Sequence, residues 1–168
     1  MKRVYLIGLP GSGKSTSGKR FAKQLGWAYA DLDKIVTIRA GRSIPAIFEN
    51  EGELAFRKYE QAALYETAAS SDIVIGCGGG TAAFENNIDW MRAHGVVIWI
   101  NISLVELGKR LLKSVNERPM FPDRDPSAIQ QQLQKLFESR QDFYKQAHIQ
   151  VDSEAALLRI NNLVISSY

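Results

Sequence analysis

The chain has 168 residues, of which 45% are hydrophobic, 23% charged and 10% aromatic. This composition is typical of a folded globular protein and excludes the disordered, collagen-like and disulfide-rich classes. The length predicts one domain that spans residues 1–168. The net charge is only +3, and no block of five or more like charges occurs, so the charge pattern does not favour a nucleic-acid partner.

The cysteine content and the apolar segments indicate where the protein works. Cys77 is the single cysteine, which is typical of a reducing compartment because no internal disulfide can form. The apolar run after Met1 leads into a glycine-rich motif and not into a cleavage site, so we expect no signal peptide. The run Val96–Ile100 is far shorter than the roughly 18 residues that a membrane helix needs. We therefore expect a cytoplasmic protein with no membrane partner.

Short apolar runs alternate along the chain with longer segments of helical periodicity. The runs that begin at Val4, Ile73 and Val96 consist almost entirely of aliphatic and aromatic residues, which is typical of strands buried on both faces of a parallel sheet. The pattern predicts an α/β protein with five parallel strands joined by helices. The predicted strands are Val4–Ile7, Trp27–Ala30, Ile73–Ile75, Val96–Ile100 and His148–Val151.

Capping residues predict where several helices begin and end. Ser103 with Glu106, and Ser127 with Gln130, have the spacing of a capping box, and Ser153 follows the last strand as a candidate N-cap. Glycines that follow a helical pattern predict the ends of three helices. These glycines are Gly26, Gly41 and Gly95.

A helix is also predicted from about Glu51, with an apolar stripe along one face. Arg57 and Glu60 are three residues apart and therefore share another face of this helix. Glu60 is expected to pair with Arg57 and to fix its rotamer. The residues of the predicted apolar stripe are Leu54, Tyr59, Ala62, Ala63 and Tyr65.

The segment 114–126 does not fit a helix or a strand. It contains three prolines and shows no sustained hydrophobic period, so it is predicted to be a loop. Loops of about a dozen residues in compact domains are usually functional or disordered.

The strongest functional signal is the sequence G-L-P-G-S-G-K-S, from Gly8 to Ser15. It matches the complete G-x-x-x-x-G-K-[ST] motif and lies between a predicted strand and a predicted helix, the context that this motif requires. The glycines let backbone N–H groups surround phosphate oxygens, Lys14 can reach the β- and γ-phosphates, and the Ser15 hydroxyl can bind Mg²⁺. The motif predicts binding of ATP or GTP. The expected nucleotide-binding residues are Gly11, Ser12, Gly13, Lys14, Ser15 and Thr16.

Two carboxylates, Asp31 and Asp33, follow the second predicted strand. Parallel sheets bind ligands at the carboxyl ends of their strands, so we expect both side chains beside the phosphate loop. The alternative is a solvated turn in which Asp31 caps the next helix. The sequence has no N-K-x-D motif, which disfavours a GTPase, and no strand after residue 70 ends in the Asp of a Walker B motif.

Three consecutive glycines, Gly78–Gly80, follow the third predicted strand. Alone, they predict either a flexible turn or a close approach of the backbone to a ligand. Further motifs occur in a fixed order around them, namely G-L-P-G-S-G-K-S-T, D-L-D, G-R-S-I-P-A-I-F-E-N-E-G-E, F-R, G-G-G, R-P and R-Q-D-F-Y. In this order and at these spacings, the chain closely resembles the shikimate kinase family from about Arg3 to Asp152.

The resemblance implies a fold, a reaction and its cofactors. The fold is a three-layer α/β/α P-loop kinase with a five-stranded parallel sheet in the order 2-3-1-4-5. The reaction is phosphorylation of the 3-hydroxyl of shikimate by ATP with Mg²⁺, giving shikimate 3-phosphate for aromatic amino-acid biosynthesis. The resemblance also implies a monomer, and a lid formed by the loop at 114–126.

The resemblance further implies roles for residues at the acceptor. Asp33 matches the carboxylate that holds the substrate hydroxyls and orients the one that attacks. Arg57 and Arg140 match the pair that binds the substrate carboxylate, and arginine suits this role because guanidinium pairs bidentately with carboxylate. Gly79, with its neighbours Gly78 and Gly80, matches the backbone that contacts the substrate.

Other matching positions belong to the nucleotide side. Asp31 matches a position associated with Mg²⁺ beside Ser15. Arg118 matches an arginine of the lid and, with Lys14 and Asp33, completes the expected catalytic set. Arg110 matches a basic position near adenine, with an ordinary surface charge as the alternative.

Two features depart from the family pattern, and two other functions stay open. The lid sequence is R-P-M-F where R-P-L-L is usual, and Gly76-Cys77 precedes the glycine run where a small polar residue and an aliphatic one are common. A kinase for another small hydroxy acid, such as gluconate, is one alternative, which the set of Asp33, Arg57 and Arg140 disfavours. A nucleotide-binding module without turnover is the other, which the intact phosphate loop disfavours.

Overall fold

A computed structural model describes residues 2–113 and 125–166 of the chain. Within this part, five parallel strands form one sheet in the order β2-β3-β1-β4-β5. The predicted fold class, strand number and strand order are confirmed, and no strand end is displaced by more than one residue. The strands are Arg3–Ile7 (β1), Ala28–Asp31 (β2), Ile73–Gly76 (β3), Val96–Ile100 (β4) and Ile149–Val151 (β5).

Helices cover both faces of the sheet. Every residue of β1 and of β4 is buried, which in a parallel sheet requires a layer of helices on each side. In the described part of the chain, no helix is both long enough and apolar enough to span a bilayer. The helices are Lys14–Leu25 (α1), Leu32–Ala40 (α2), Ile44–Glu66 (α3), Asn87–His94 (α4), Leu104–Lys113 (α5), Pro126–Tyr144 (α6), Glu154–Arg159 (α7) and Asn161–Ser166 (α8).

The strand register brings the sequence motifs together at one edge of the sheet. Gly76, the last residue of β3, pairs with Leu6 of β1 on one side and with Asp31 of β2 on the other. The chain segments that follow these three strands therefore leave the sheet side by side. They carry the phosphate loop, the D-L-D sequence and the glycine run.

Two of the predicted helix starts are confirmed and one is wrong. The side chains of Ser103 and Ser153 each accept a hydrogen bond from the backbone N–H three residues further on. At α6 the N-cap is Asp125 and not Ser127, since the Asp125 carboxylate accepts such a bond at 2.8 Å. Pro126 takes the first helical position, where its fixed φ is favourable and its missing N–H is not needed.

Two predicted helix ends have the geometry expected of a helix-terminating glycine. At the third, a close contact with another strand is the reason for the glycine. Gly26 and Gly41 follow α1 and α2 with φ values of 71° and 65°, the left-handed conformation of a helix-terminating glycine. Gly95 follows α4 but has an extended backbone. A Cβ atom on Gly95 would lie 2.5 Å from the carbonyl oxygen of Arg3, so the close approach of β1 requires glycine there.

The buried face of α3 differs from the predicted apolar stripe. The helix begins at Ile44 and bends at Gly52, whose φ of 83° is left-handed. Of the predicted stripe only Ala63 is buried, while Leu54 is 61% exposed and Tyr65 is 38% exposed. The helix is turned so that a carboxylate lies within its buried face, because that carboxylate finds partners inside the protein. The buried residues of α3 are Ile47, Phe56, Glu60, Ala63 and Leu64.

Tyr29 of β2 fits between two glycines. Its ring would contact a Cβ atom on Gly18 of α1 at 2.8 Å, and its hydroxyl oxygen would overlap a Cβ atom on Gly76 of β3. The hydroxyl oxygen is buried, makes no hydrogen bond of ordinary geometry within the described residues, and lies beside the Ser15 hydroxyl. Burial raises the pKa of Tyr29 to about 12. The glycine at position 76 therefore makes room for this hydroxyl group.

We predict that Gly76→Ala lowers the free energy of unfolding by about 1 to 3 kcal/mol, because the added methyl group overpacks against the Tyr29 hydroxyl. Tyr29→Phe removes that oxygen and restores most of the loss in the double variant. Urea unfolding of the two single variants and the double variant measures the coupling. Equal losses from Gly76→Ala with and without Tyr29→Phe would show that this contact does not set the residue at position 76.

Candidate active site

The phosphate loop joins β1 to α1 through backbone conformations that favour glycine. The φ values of Gly8, Gly11 and Gly13 are 143°, 84° and 94°, in the region that L side chains avoid. Gly13 is the N-cap of α1 and provides no capping side chain. No N-cap side chain therefore competes with an anion for the first N–H groups of the helix.

The Lys14 ammonium lies over this loop. Its Nζ donates to the carbonyl oxygens of Gly8 at 2.8 Å and Leu9 at 2.9 Å, and to the hydroxyl of Ser12 at 3.3 Å. Ser12 is buried, whereas Thr16 is exposed in the first turn of α1. The positive charge is thus already at the loop, where phosphate oxygens can replace the carbonyl groups as its partners.

Asp31 joins the phosphate loop to the end of β2. Its Oδ2 accepts a hydrogen bond from the Ser15 hydroxyl at 3.0 Å, and its Oδ1 accepts one from the backbone N–H of Asp33 at 3.2 Å. The second bond makes Asp31 the N-cap of α2. The capping interpretation and the position beside Ser15 are therefore both correct, because the two carboxylate oxygens serve different partners.

Asp33 lies in the first turn of α2, close to the glycine run. A Cβ atom on Gly78 would lie 3.4 Å from its Oδ1. Burial, and after it the negative charges of Glu60 and Asp31, raise the pKa of Asp33 to about 6. The carboxylate is therefore ionised at neutral pH but is a stronger base than an exposed aspartate.

Glu60 is a buried carboxylate that holds Arg57. It has no solvent exposure. Its Oε2 accepts a hydrogen bond from Arg57 Nη1 at 2.7 Å, and its Oε1 accepts one from the Thr81 hydroxyl at 2.5 Å. Thr81 is fixed in turn, since its carbonyl oxygen accepts a hydrogen bond from the Asn87 side chain at 2.9 Å. The predicted pairing of Glu60 with Arg57 is confirmed, whereas no motif pointed to Thr81 or Asn87.

The glycine run forms a surface against which side chains of the site pack. A Cβ atom on Gly80 would lie 2.5 Å from Arg57 Nη2, and one on Gly79 would lie 3.1 Å from Arg140 Nη1. A Cβ atom on Gly78 would overlap a carboxylate oxygen of Glu60. Side chains of the site thus approach the backbone of the three glycines closely, while the close approach of this backbone to a ligand stays a prediction.

Arg140 brings a second guanidinium group to the same place. It lies on α6 and is only 8% exposed, and its Nη1 is buried without a hydrogen-bond partner among the described residues. Arg57 and Arg140 line one cavity of about 520 Å³, whose outer wall includes Leu54 and Phe84. A buried donor without a partner costs free energy, so this corner of the cavity suits an anionic acceptor of hydrogen bonds.

Tyr144 holds the glycine run to α6. Its hydroxyl donates a hydrogen bond to the carbonyl oxygen of Gly79, and burial raises the pKa of Tyr144 to about 12. The residue closes the R-Q-D-F-Y motif, in which no role for the tyrosine was predicted. Its spacing of four residues from Arg140 places both on one face of α6.

Two further residues, Arg110 and Arg118, were predicted on the nucleotide side, and only Arg110 lies within the described residues. Arg110 forms an ion pair with Glu106 at 2.9 Å and is half-exposed, and its Nη1 would lie 3.8 Å from a Cβ atom on Gly13. It is therefore at the phosphate loop as well as at the surface. Arg118 lies outside the described residues, as does the predicted 114–126 loop except for Asp125 and Pro126, which begin α6.

Comparisons with known proteins agree on one family. The shikimate kinase family model matches residues 10–164. A shikimate kinase of Parabacteroides distasonis is 37% identical over 157 residues, which cover 94% of this chain and 91% of that relative. The crystal structure of a shikimate kinase from Bacteroides thetaiotaomicron superposes with a TM-score of 0.92 at 28% identity, over 98% of both chains.

A second solved structure, a shikimate kinase from Acinetobacter baumannii in complex with shikimate, has a TM-score of 0.85 at 29% identity. It covers 99% of this chain, and this chain covers 94% of it. The likeness in sequence and in structure thus extends over nearly the whole length. The chain belongs to the shikimate kinase family, whose members phosphorylate shikimate with ATP.

Proposed function

We propose that this chain transfers the γ-phosphoryl group of ATP to the 3-hydroxyl of shikimate in the site described above. The observation that carries the proposal is Arg140, which lines the same cavity as Arg57 and whose buried Nη1 has no hydrogen-bond partner in the described part of the chain. Two guanidinium groups at one cavity suit a small carboxylic acid. The Acinetobacter baumannii relative in complex with shikimate supports the same acceptor.

On the nucleotide side, the phosphate loop supplies backbone N–H groups and Lys14 supplies charge. The loop residues Gly11–Thr16 surround the β- and γ-phosphates, and Lys14 exchanges its carbonyl partners for phosphate oxygens. Phosphoryl transfer depends mainly on position and on neutralisation of charge, so these groups account for much of the catalysis. Arg110 is positioned to contact the nucleotide from α5, and by family resemblance Arg118 covers the phosphates.

The residues beside the loop fit a hydrated Mg²⁺ ion. Ser15 and Asp31 offer two oxygen atoms 3.0 Å apart, and the buried hydroxyl of Tyr29 lies next to Ser15. Mg²⁺ bound with a nucleotide uses few protein oxygens and keeps several water ligands. When bound, the ion neutralises charge on the β- and γ-phosphates. Ser15 and Asp31 are the residues that would hold it.

On the acceptor side, Asp33 orients the hydroxyl that attacks. The pKa of about 6 leaves Asp33 ionised at neutral pH, so its carboxylate accepts a hydrogen bond from the 3-hydroxyl and raises the nucleophilicity of that oxygen. Arg57 and Arg140 bind the carboxylate at the other end of the ring. The acceptor is thus held at both ends, which fixes the attacking oxygen relative to the phosphate loop.

The experiment that tests the function is ADP release from ATP and Mg²⁺ with four additions: shikimate, its methyl ester, gluconate, and no acceptor. We predict release with shikimate alone at low concentration. The ester keeps the ring hydroxyls and loses the charge that the arginines bind, so its KM is higher by about 10- to 100-fold, the value of one or two charge-assisted hydrogen bonds. Its kcat stays near that of shikimate because Asp33 and the phosphate loop are unaffected.

Other outcomes of this experiment would each contradict one part of the proposal. An ester KM equal to that of shikimate would mean that the arginine pair does not bind the carboxylate. Release with gluconate but not with shikimate would mean that the acceptor is wrong. Release that does not depend on any acceptor, or none at all, would favour a nucleotide-binding module.

The perturbed pKa of Asp33 predicts how activity and stability depend on pH. We expect kcat/KM for shikimate to fall below about pH 6, as Asp33 becomes protonated. The folded-state pKa lies above the ordinary value of 3.8, so the free energy of unfolding decreases as pH rises from about 4 to about 6. Asp33→Asn abolishes this decrease. Between pH 4 and pH values above 6, the free energy of unfolding of Asp33→Asn therefore rises by about 2 to 3 kcal/mol relative to that of wild type.

Urea unfolding of wild type and of Asp33→Asn at pH 4 and pH 7 measures the stability difference. Asp142→Asn is the matched control, because Asp142 lies exposed on α6. If the Asp33→Asn and wild-type stabilities change in parallel with pH, Asp33 does not have a raised pKa.

A further inference from the structure

Arg57 is held by two carboxylates that differ in burial. Its Nη1 donates to Glu60, which has no solvent exposure, at 2.7 Å. Its Nε and Nη2 donate to a single oxygen of Glu53 at 3.4 Å and 3.2 Å, and the Glu53 side chain is 66% exposed. Glu60 is also fixed by Thr81, whereas Glu53 makes no other side-chain hydrogen bond to a described residue. Glu60 is therefore a permanent partner of Arg57, and Glu53 is an exchangeable one.

The backbone leaves Glu53 free to move away. Gly52 interrupts α3 with a left-handed φ of 83°, so Glu53 begins the second helical segment of α3 and lies in its first turn. The Glu53 end of this ion pair is exposed and its contacts are long, so the pair contributes little to stability. Removing the Glu53 carboxylate from Arg57 therefore costs little free energy, and no buried charge is left unpaired because Glu60 remains.

Glu53 also lies at the cavity of the acceptor. Of the residues that line this cavity in the described structure, Glu53 is the one with a negative charge, and Arg57 and Arg140 are the two with a positive charge. It occupies the edge formed by Nε and Nη2, one of the edges through which a guanidinium group binds a carboxylate with two hydrogen bonds. Arg140 Nη1 has no such partner within residues 2–113 and 125–166.

We propose that Glu53 occupies, in the empty enzyme, part of the position that the carboxylate of the acceptor takes, and that it thereby sets affinity and specificity. The inference rests on the proposed function. Binding exchanges one carboxylate of Arg57 for another, so a ligand that reaches Arg57 alone gains little. A carboxylate that also reaches Arg140, whose Nη1 has no hydrogen-bond partner among the described residues, makes new hydrogen bonds and is therefore selected over other anions.

The test is calorimetric titration of shikimate and of its methyl ester into the protein without nucleotide. Glu53→Gln keeps the size of the side chain and removes the competing charge, so we expect the Kd for shikimate to fall about two- to fivefold, the value of an exposed ion pair. The Kd for the uncharged ester and the KM for ATP stay unchanged. Glu51→Gln is the matched control, since Glu51 makes its ion pair with Arg42 and does not line the cavity.

Each of the following results would contradict one step of the inference about Glu53. An unchanged or higher Kd for shikimate in Glu53→Gln would mean that Glu53 positions Arg57 and does not compete with the ligand. An equal fall in Glu51→Gln would mean that overall charge, and not position, is responsible. Arg140→Gln separates this inference from the proposed function: we expect a Kd at least about tenfold higher, and an unchanged Kd would remove the carboxylate site and the inference with it.

Discussion

One buried carboxylate, Glu60, determines how the acceptor side of the molecule is built. A buried charge is stable only when it is paired and fully hydrogen-bonded, and Glu60 obtains both conditions from Arg57 and Thr81. Arg57 in turn packs against Gly80, and Glu60 against Gly78, where side chains would collide with them. The rotation of α3, the glycine run and the direction of the arginine are therefore consequences of one pairing.

The same arrangement distributes charge across the site. The acceptor cavity is lined by Arg57 and Arg140, and among the described residues only Arg57 is paired with carboxylates, so an anionic acid is attracted to Arg140. On the inner side, Glu60 adds to the effect of burial on Asp33 and makes that carboxylate a stronger base. Glu60 thus contacts the arginine that binds the acceptor and also raises the pKa of Asp33, which activates the acceptor hydroxyl. Affinity for the acceptor and reactivity of its hydroxyl therefore depend on the same carboxylate.

Features that depend on local pattern could be predicted from the sequence, and features that depend on distant partners could not. The five strands and the phosphate loop were predicted because buried parallel strands and phosphate loops have continuous local patterns. The buried face of α3 was not, since residue type favoured Leu54 as core, whereas Glu60 is stabilised by Thr81, 21 positions away in the chain. The i,i+4 spacing of Glu53 and Arg57 was available in the sequence and would have predicted their contact.

A double-mutant cycle between Glu60→Gln and Arg57→Lys, with the Kd for shikimate as the readout, tests most directly whether Glu60 acts through Arg57. Each single change is expected to weaken binding at least about tenfold, and the double variant is expected to bind scarcely more weakly than either one, because both remove the same pairing. An unchanged KM for ATP confirms that the phosphate loop is intact in all three variants. Losses that simply add would contradict the dependence of the acceptor site on this pair.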